Sequence, residues 1–211
     1  MRTYRALFVL GFIVLSLGVA AGTLNFKLAK TETQSSTSSY NSFVEKSGDL
    51  QVLPGKRMFL HVEDREGLGG VLAWEVRNAL QREFGVTVTL LNNAPGPDDF
   101  PLVLVAVRDE SGFWSPFYAR KSVTVLGKFT SYTSHIMVDW SDKVSIDQTQ
   151  AQGELPLYAQ MKCETSATSI GFISLPAFRN ELVRGAAEAF AKYLKDSFQN
   201  AEQKVREKAQ L

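Results

Sequence analysis

Two histidines, each close to a carboxylate, are the only residues in this chain whose types and spacing suggest metal chemistry. His61 and Glu63 are two apart in "FLHVED", and His135 and Asp139 are four apart in "HIMVDW". In an extended strand each pair falls on one face. Were the two strands neighbours, an oxygen and nitrogen ligand set would form. Neither histidine lies in an HExxH or comparable motif, and a histidine on a polar strand face is commonplace, so no metal and no cofactor are expected.

Other chemistry is weaker still. The junction "HVEDREGLGG" has the glycines that let backbone N–H groups approach an anion at a helix start. It lacks the lysine followed by Ser or Thr of a phosphate loop, and Glu63, Asp64 and Glu66 would repel a phosphate. Acidic residues ahead of a helix favour its dipole without any ligand. The one cysteine, Cys163, alternates with Met161, Ala159 and Leu157 on one strand face and reads as a small core residue. No serine sits in a nucleophile elbow. No catalytic residue is assigned.

The stretch "SGFWSPFYARK" is of a different kind. Phe113, Trp114, Phe117 and Tyr118 crowd around Pro116 in what reads as a loop between strands, followed by Arg120 and Lys121. Such rings either fold back to close the sheet's own end or stay outside as anchors for a partner. Phe113, Trp114, Phe117, Tyr118 and Arg120 are therefore the candidate partner-binding residues. A protein partner is expected ahead of the bilayer interface, where aromatic rings beside basic side chains also sit.

The elements that position these residues follow from periodicity. Met58, Leu60 and Val62 alternate with polar neighbours as in a strand, and a helix follows with Leu68, Leu72, Val76 and Leu80 at helical spacing before Gly85. "VTVTLL", "PLVLVAVR", "SVTVLGKFTSYTS", "HIMVDW" and "LPLYAQMK" read as strands. A long helix opens near Pro176, with Phe178, Leu182, Ala186, Phe190 and Leu194 on one side. The expected fold is α+β: a single, mostly antiparallel sheet with two helices on one face, preceded by an N-terminal hydrophobic helix.

The expected domain runs over residues 51–198, with a charged helical extension or tail at 199–211. Residues 30–50, "KTETQSSTSSYNSF" and beyond, hold few apolar side chains and read as a flexible stalk. Residues 1–29 hold Arg2 and Arg5 and then 21 residues without a charge, from Ala6 to Phe26. That length can span a bilayer as an anchor. Val19, Ala20 and Ala21 also offer a signal-peptidase site, with cleavage after Ala21. Both readings place the remainder outside the cytoplasm, periplasmic or at the cell surface, because the basic end stays inside. A lipoprotein is excluded, since lipid attachment would need a cysteine directly after the apolar run and the only one is Cys163.

A net charge of +1 without any basic block gives no footprint for nucleic acid. The leading expectation is a non-enzymatic, membrane-tethered binding or assembly accessory protein of a cell-envelope complex, with another envelope or membrane protein as partner. Two alternatives stay open. One is an extracytoplasmic hydrolase or metal-dependent enzyme using His61, Glu63, His135 and Asp139. The other is a structural subunit of a larger membrane complex, with Gly11, Ser16 and Gly18 allowing helix contacts in the bilayer.

Overall fold

The computed structural model describes residues 25–41, 56–63, 67–96, 98–130 and 158–209. Six strands and two helices follow in the order β1 (Lys27–Asn41), β2 (Arg57–Glu63), α1 (Gly69–Phe84), β3 (Thr87–Leu91), β4 (Leu102–Trp114), β5 (Tyr118–Thr130), β6 (Tyr158–Ile173) and α2 (Leu175–Ala209). The strands form one sheet in the order β1-β6-β5-β4-β2-β3. "HIMVDW", with His135 and Asp139, and the N-terminal apolar run up to residue 24 lie outside the described residues.

The fold is α+β, but the sheet is mixed where a mostly antiparallel one was expected. β2 runs parallel to both its neighbours, β3 and β4. Only β4, β5, β6 and β1 form an antiparallel run. The reason is the helix between β2 and β3: a chain that traverses 16 residues of helix returns to the end it started from, so the next strand enters in the same direction. The alternation of each strand shows its burial pattern but not its partner's direction.

A second correction concerns the serine and threonine tract. Of the residues read as a stalk, 30–41 form β1 together with Lys27, Leu28 and Ala29, an edge strand paired to β6 from Lys27 opposite Ile173 to Asn41 opposite Gln160; residues 42–50 lie outside the described residues. Polar side chains supply what apolar ones usually do. Thr31 Oγ1 donates to Ser169 Oγ at 3.1 Å, and Ser35 and Thr165 share a hydroxyl bond of 2.9 Å. Lys27 reaches Glu181 of α2 at 3.2 Å. α2 approaches β1 so closely at Gly185 that an added Cβ would lie 2.4 Å from Thr33 Cγ2.

Both helices cover the same sheet face. Leu72, Val76 and Leu80 of α1 and Phe178, Leu182, Phe190 and Leu194 of α2 share one core with Met58, Leu60, Val103, Val105, Val125, Met161 and Cys163. Gly85 ends α1 in a left-handed conformation (φ 64°), its N–H bonded to Gln81 O at 2.9 Å. Ser174 caps α2: its Oγ accepts the Ala177 N–H at 3.2 Å. The helix then runs unbroken through the charged extension to Ala209. No helix among the described residues is long and apolar enough to cross a membrane.

Candidate functional site

The aromatic stretch is a hairpin, not a loop. β4 and β5 pair up to Trp114 opposite Ala119, and the turn is closed by Ser115, whose N–H and Oγ both donate to Tyr118 O at 2.8 Å. Ser115 Oγ also accepts the Tyr118 N–H at 3.1 Å. Pro116 sits at the second position of this turn, where its fixed φ is favourable. Aromatic residues suit the strands on either side.

A register shift between Val107 and Asp109 decides which rings face outward. An extra residue in one strand reverses the alternation beyond it. Before the shift, odd-numbered residues of β4 face the helices; after it, even-numbered ones do. Trp114 therefore lies on the helix side, half-buried against the main core with its Nε1 buried and without a hydrogen-bond partner among the described residues. Phe113, opposite Arg120, lies on the open side. The five residues singled out in the sequence thus divide: Phe113, Tyr118 and Arg120 on the open face, Phe117 exposed in the turn, and Trp114 inward.

The open face has three zones. At the end nearest Phe100, Leu102, Leu104, Ala106 and Leu126 form a second, smaller buried cluster with Phe59, Leu91 and Phe100 against it. In the middle is a trough of about 520 Å³ across β1, β6 and β5, lined by hydrogen-bonding side chains such as Gln34, Ser36, Ser122, Thr124, Glu164 and Ser166. At the hairpin end the surface is apolar and exposed. Leu28 is 81% exposed, Ile170 69%, Phe117 66%, Phe113 60% and Tyr118 42%. The register brings them together, because Leu28 is opposite Phe172 and Ile170 is opposite Tyr118.

Three rings tie this end together. Phe26 stacks on Phe172 with centroids 4.7 Å apart, and Phe172 on Phe117 at 5.3 Å. The turn is anchored to β6 by Ile173 N–H donating to Pro116 O and Gly171 N–H to Phe117 O. Arg120 is exposed and makes no ion pair among the described residues, whereas Lys121 on the helix side is held by Glu110 at 2.6 Å. Leu28, Ile170 and Phe172 were missed in the sequence. They come from strands far from the hairpin, and only the β1–β6–β5 register assembles them with it.

Of the candidates for metal chemistry and catalysis, His61, Glu63 and Cys163 lie among the described residues. His61 and Glu63 do share a face of β2, and His61 Nδ1 is buried without a hydrogen-bond partner among the described residues. His135 and Asp139 lie outside the described residues, and among the described residues no three His, Cys, Asp or Glu side chains could hold a metal ion. The first turn of α1 carries no acidic residue, and Asp64, Arg65 and Glu66 lie outside the described residues. Cys163 is fully buried, its Sγ 3.7 Å from both Thr165 Oγ1 and Ala186 O. Burial pushes its thiol pKa up, although Thr37 and Thr165 oppose the shift, so the group is a thiol and not a nucleophilic thiolate.

No family model matches the chain, and no curated protein matches it. Among solved structures, the PelC dodecamer from Paraburkholderia phytofirmans is similar at 11% identity and a TM-score of 0.36, over 74% of this chain and 97% of that one. A point variant of the same dodecamer is similar at 10% identity and a TM-score of 0.36, over 75% and 96%.

Proposed function

We propose that the chain is a non-enzymatic, extracytoplasmic, membrane-tethered accessory protein that binds within a cell-envelope complex. The observation that carries this reading is the hairpin end of the open sheet face. Large apolar side chains cost free energy when left in water, at roughly 25 cal/mol per Å². A patch of them drawn from several strands marks an interaction site more often than scattered single residues do. Phe113, Phe117, Tyr118 and Arg120 are its contact residues, with the polar trough beside them to supply hydrogen bonds at the rim. Trp114 supports the hairpin from the helix side.

The test is photo-crosslinking in cells from a reactive amino acid at Phe113, since a probe at Trp114 would report the protein's own core. An intermolecular adduct is expected, and mass spectrometry then names the partner. Products confined to the chain itself would show that the face is closed by its own residues and would end the reading.

A further inference from the structure

The exposed apolar end lies where the chain leaves its uncharged N-terminal run. That run ends at Phe26, and Phe26 is itself part of the ring stack with Phe172 and Phe117. It is fixed there by its backbone: its N–H donates to Ser174 Oγ at 3.0 Å, and its carbonyl accepts the Ser174 N–H at 3.0 Å. Five residue steps lead from Ala21, the end of the apolar centre, to Phe26 in the stack. Fully extended, they reach at most about 18 Å. A domain held on so short a lead has its ring-bearing end beside whatever holds the run.

We propose that this end of the sheet rests on the bilayer from which the N-terminal run emerges. Leu28, Phe113, Phe117, Tyr118 and Ile170 lie at the boundary between headgroups and acyl chains. Arg120 lies among them and reaches for anionic headgroups. The inference rests on the tethered reading above and names what occupies the same surface.

Three observations favour lipid over a protein at this position. The patch mixes aromatic and aliphatic side chains with a cation that makes no ion pair among the described residues, the composition of an interfacial anchor. The nearby Glu32, which would be repelled by anionic lipid, is neutralised by Lys30 at 2.8 Å. The rings are already fixed by the strand ladder and by each other, so placing them in the interface costs little ordering. The short lead also keeps the patch at high local concentration against the bilayer, which makes a weak contact persistent.

Because the tether alone keeps the chain on a membrane, the test must read depth at the patch. The full chain is reconstituted in vesicles of phosphatidylcholine with a quarter phosphatidylglycerol, carrying a nitroxide at Ile170→Cys or, as control, at Trp74→Cys. Trp74 is 60% exposed on the outer side of α1, and the buried Cys163 stays unlabelled. The expected result is a several-fold higher ratio of oxygen to water-soluble nickel collisions at position 170 than at 74, reduced toward the control by adding Phe117→Ser. These are exposed positions, so the fold survives each change. Equal ratios in a chain that floats with the vesicles would overturn lipid occupancy and leave the tether standing. A chain that does not float would overturn both. In native membranes, a photo-probe at position 170 that captures a protein and no lipid would also overturn the lipid assignment and return the surface to a protein partner.

Discussion

The two faces of β5 carry opposite obligations. Toward the helices, Val123, Val125 and Phe129 are buried, and at Gly127 the Phe190 ring of α2 fills the place a side chain would take: an added Cβ would lie 1.9 Å from Phe190 Cε2. Toward the open side, the hairpin half of the same strand presents Tyr118, Arg120, Ser122 and Thr124, exposed or half-buried, while Leu126, Lys128 and Thr130 farther along are buried. One face is packed so tightly that a methyl group is too much. The other leaves large rings in water. The difference teaches that Leu28, Phe113 and Ile170, turned away from the helices, lie outside the main core that the helix side closes.

The strongest way to break that comparison is Gly127→Ala. Phe190 is fully buried and boxed by the sheet, so it cannot swing aside. The substitution is expected to cost about 1–3 kcal/mol by overpacking. Urea unfolding measures the loss, and Phe190→Leu in the same chain should restore part of it. A neutral Gly127→Ala would mean that α2 sits farther from β5 than described.

Cys163 sharpens the contrast through pH. Its thiol pKa is raised in the folded protein above the ordinary 9.0, mainly because burial disfavours the thiolate. Below pH 9 both folded and unfolded chains hold the proton, and stability does not depend on it. Above that value the unfolded chain releases its proton while the folded one keeps it. Stability should therefore fall by up to about 1.4 kcal/mol per pH unit until the folded thiol also ionises. Cys163→Ser should remove this slope from urea midpoints measured across pH 8 to 10, and iodoacetamide should label the native thiol only as fast as the chain opens.

The smallest effect is expected on the open face. Ile170→Ser should change unfolding free energy by no more than about 0.5 kcal/mol, as exposed substitutions usually do. A loss several times larger would show that Ile170 is covered in the folded chain and belongs to a core.

How far the residues could be read follows from the range of the physics behind them. The alternation of Met58 and Leu60, the helical stripe of Leu72, Val76 and Leu80, and the Gly85 stop are local patterns, legible one residue at a time. β1 was not legible, because Thr31, Thr33 and Ser35 carry no apolar signal; what makes them a strand is Thr165, Ser169 and Gly185, more than a hundred residues away. The hairpin had a readable cue in Ser115-Pro116 between aromatic, strand-favouring runs. The shift after Val107 had none, and that shift alone turns Trp114 inward and Phe113 outward.

By itself the sequence determined the alternation of β2, the apolar stripes of both helices, the Gly85 stop, the uncharged N-terminal run and the cluster of rings around Pro116. These rest on side-chain periodicity, backbone propensity and length, which act within a few residues. The direction of β2, the conversion of a polar tract into β1, and the union of Leu28 and Ile170 with the hairpin were decided only by the tertiary structure. Strand partners are chosen by contacts across the whole chain, and a one-residue change of register moves every side chain to the other face.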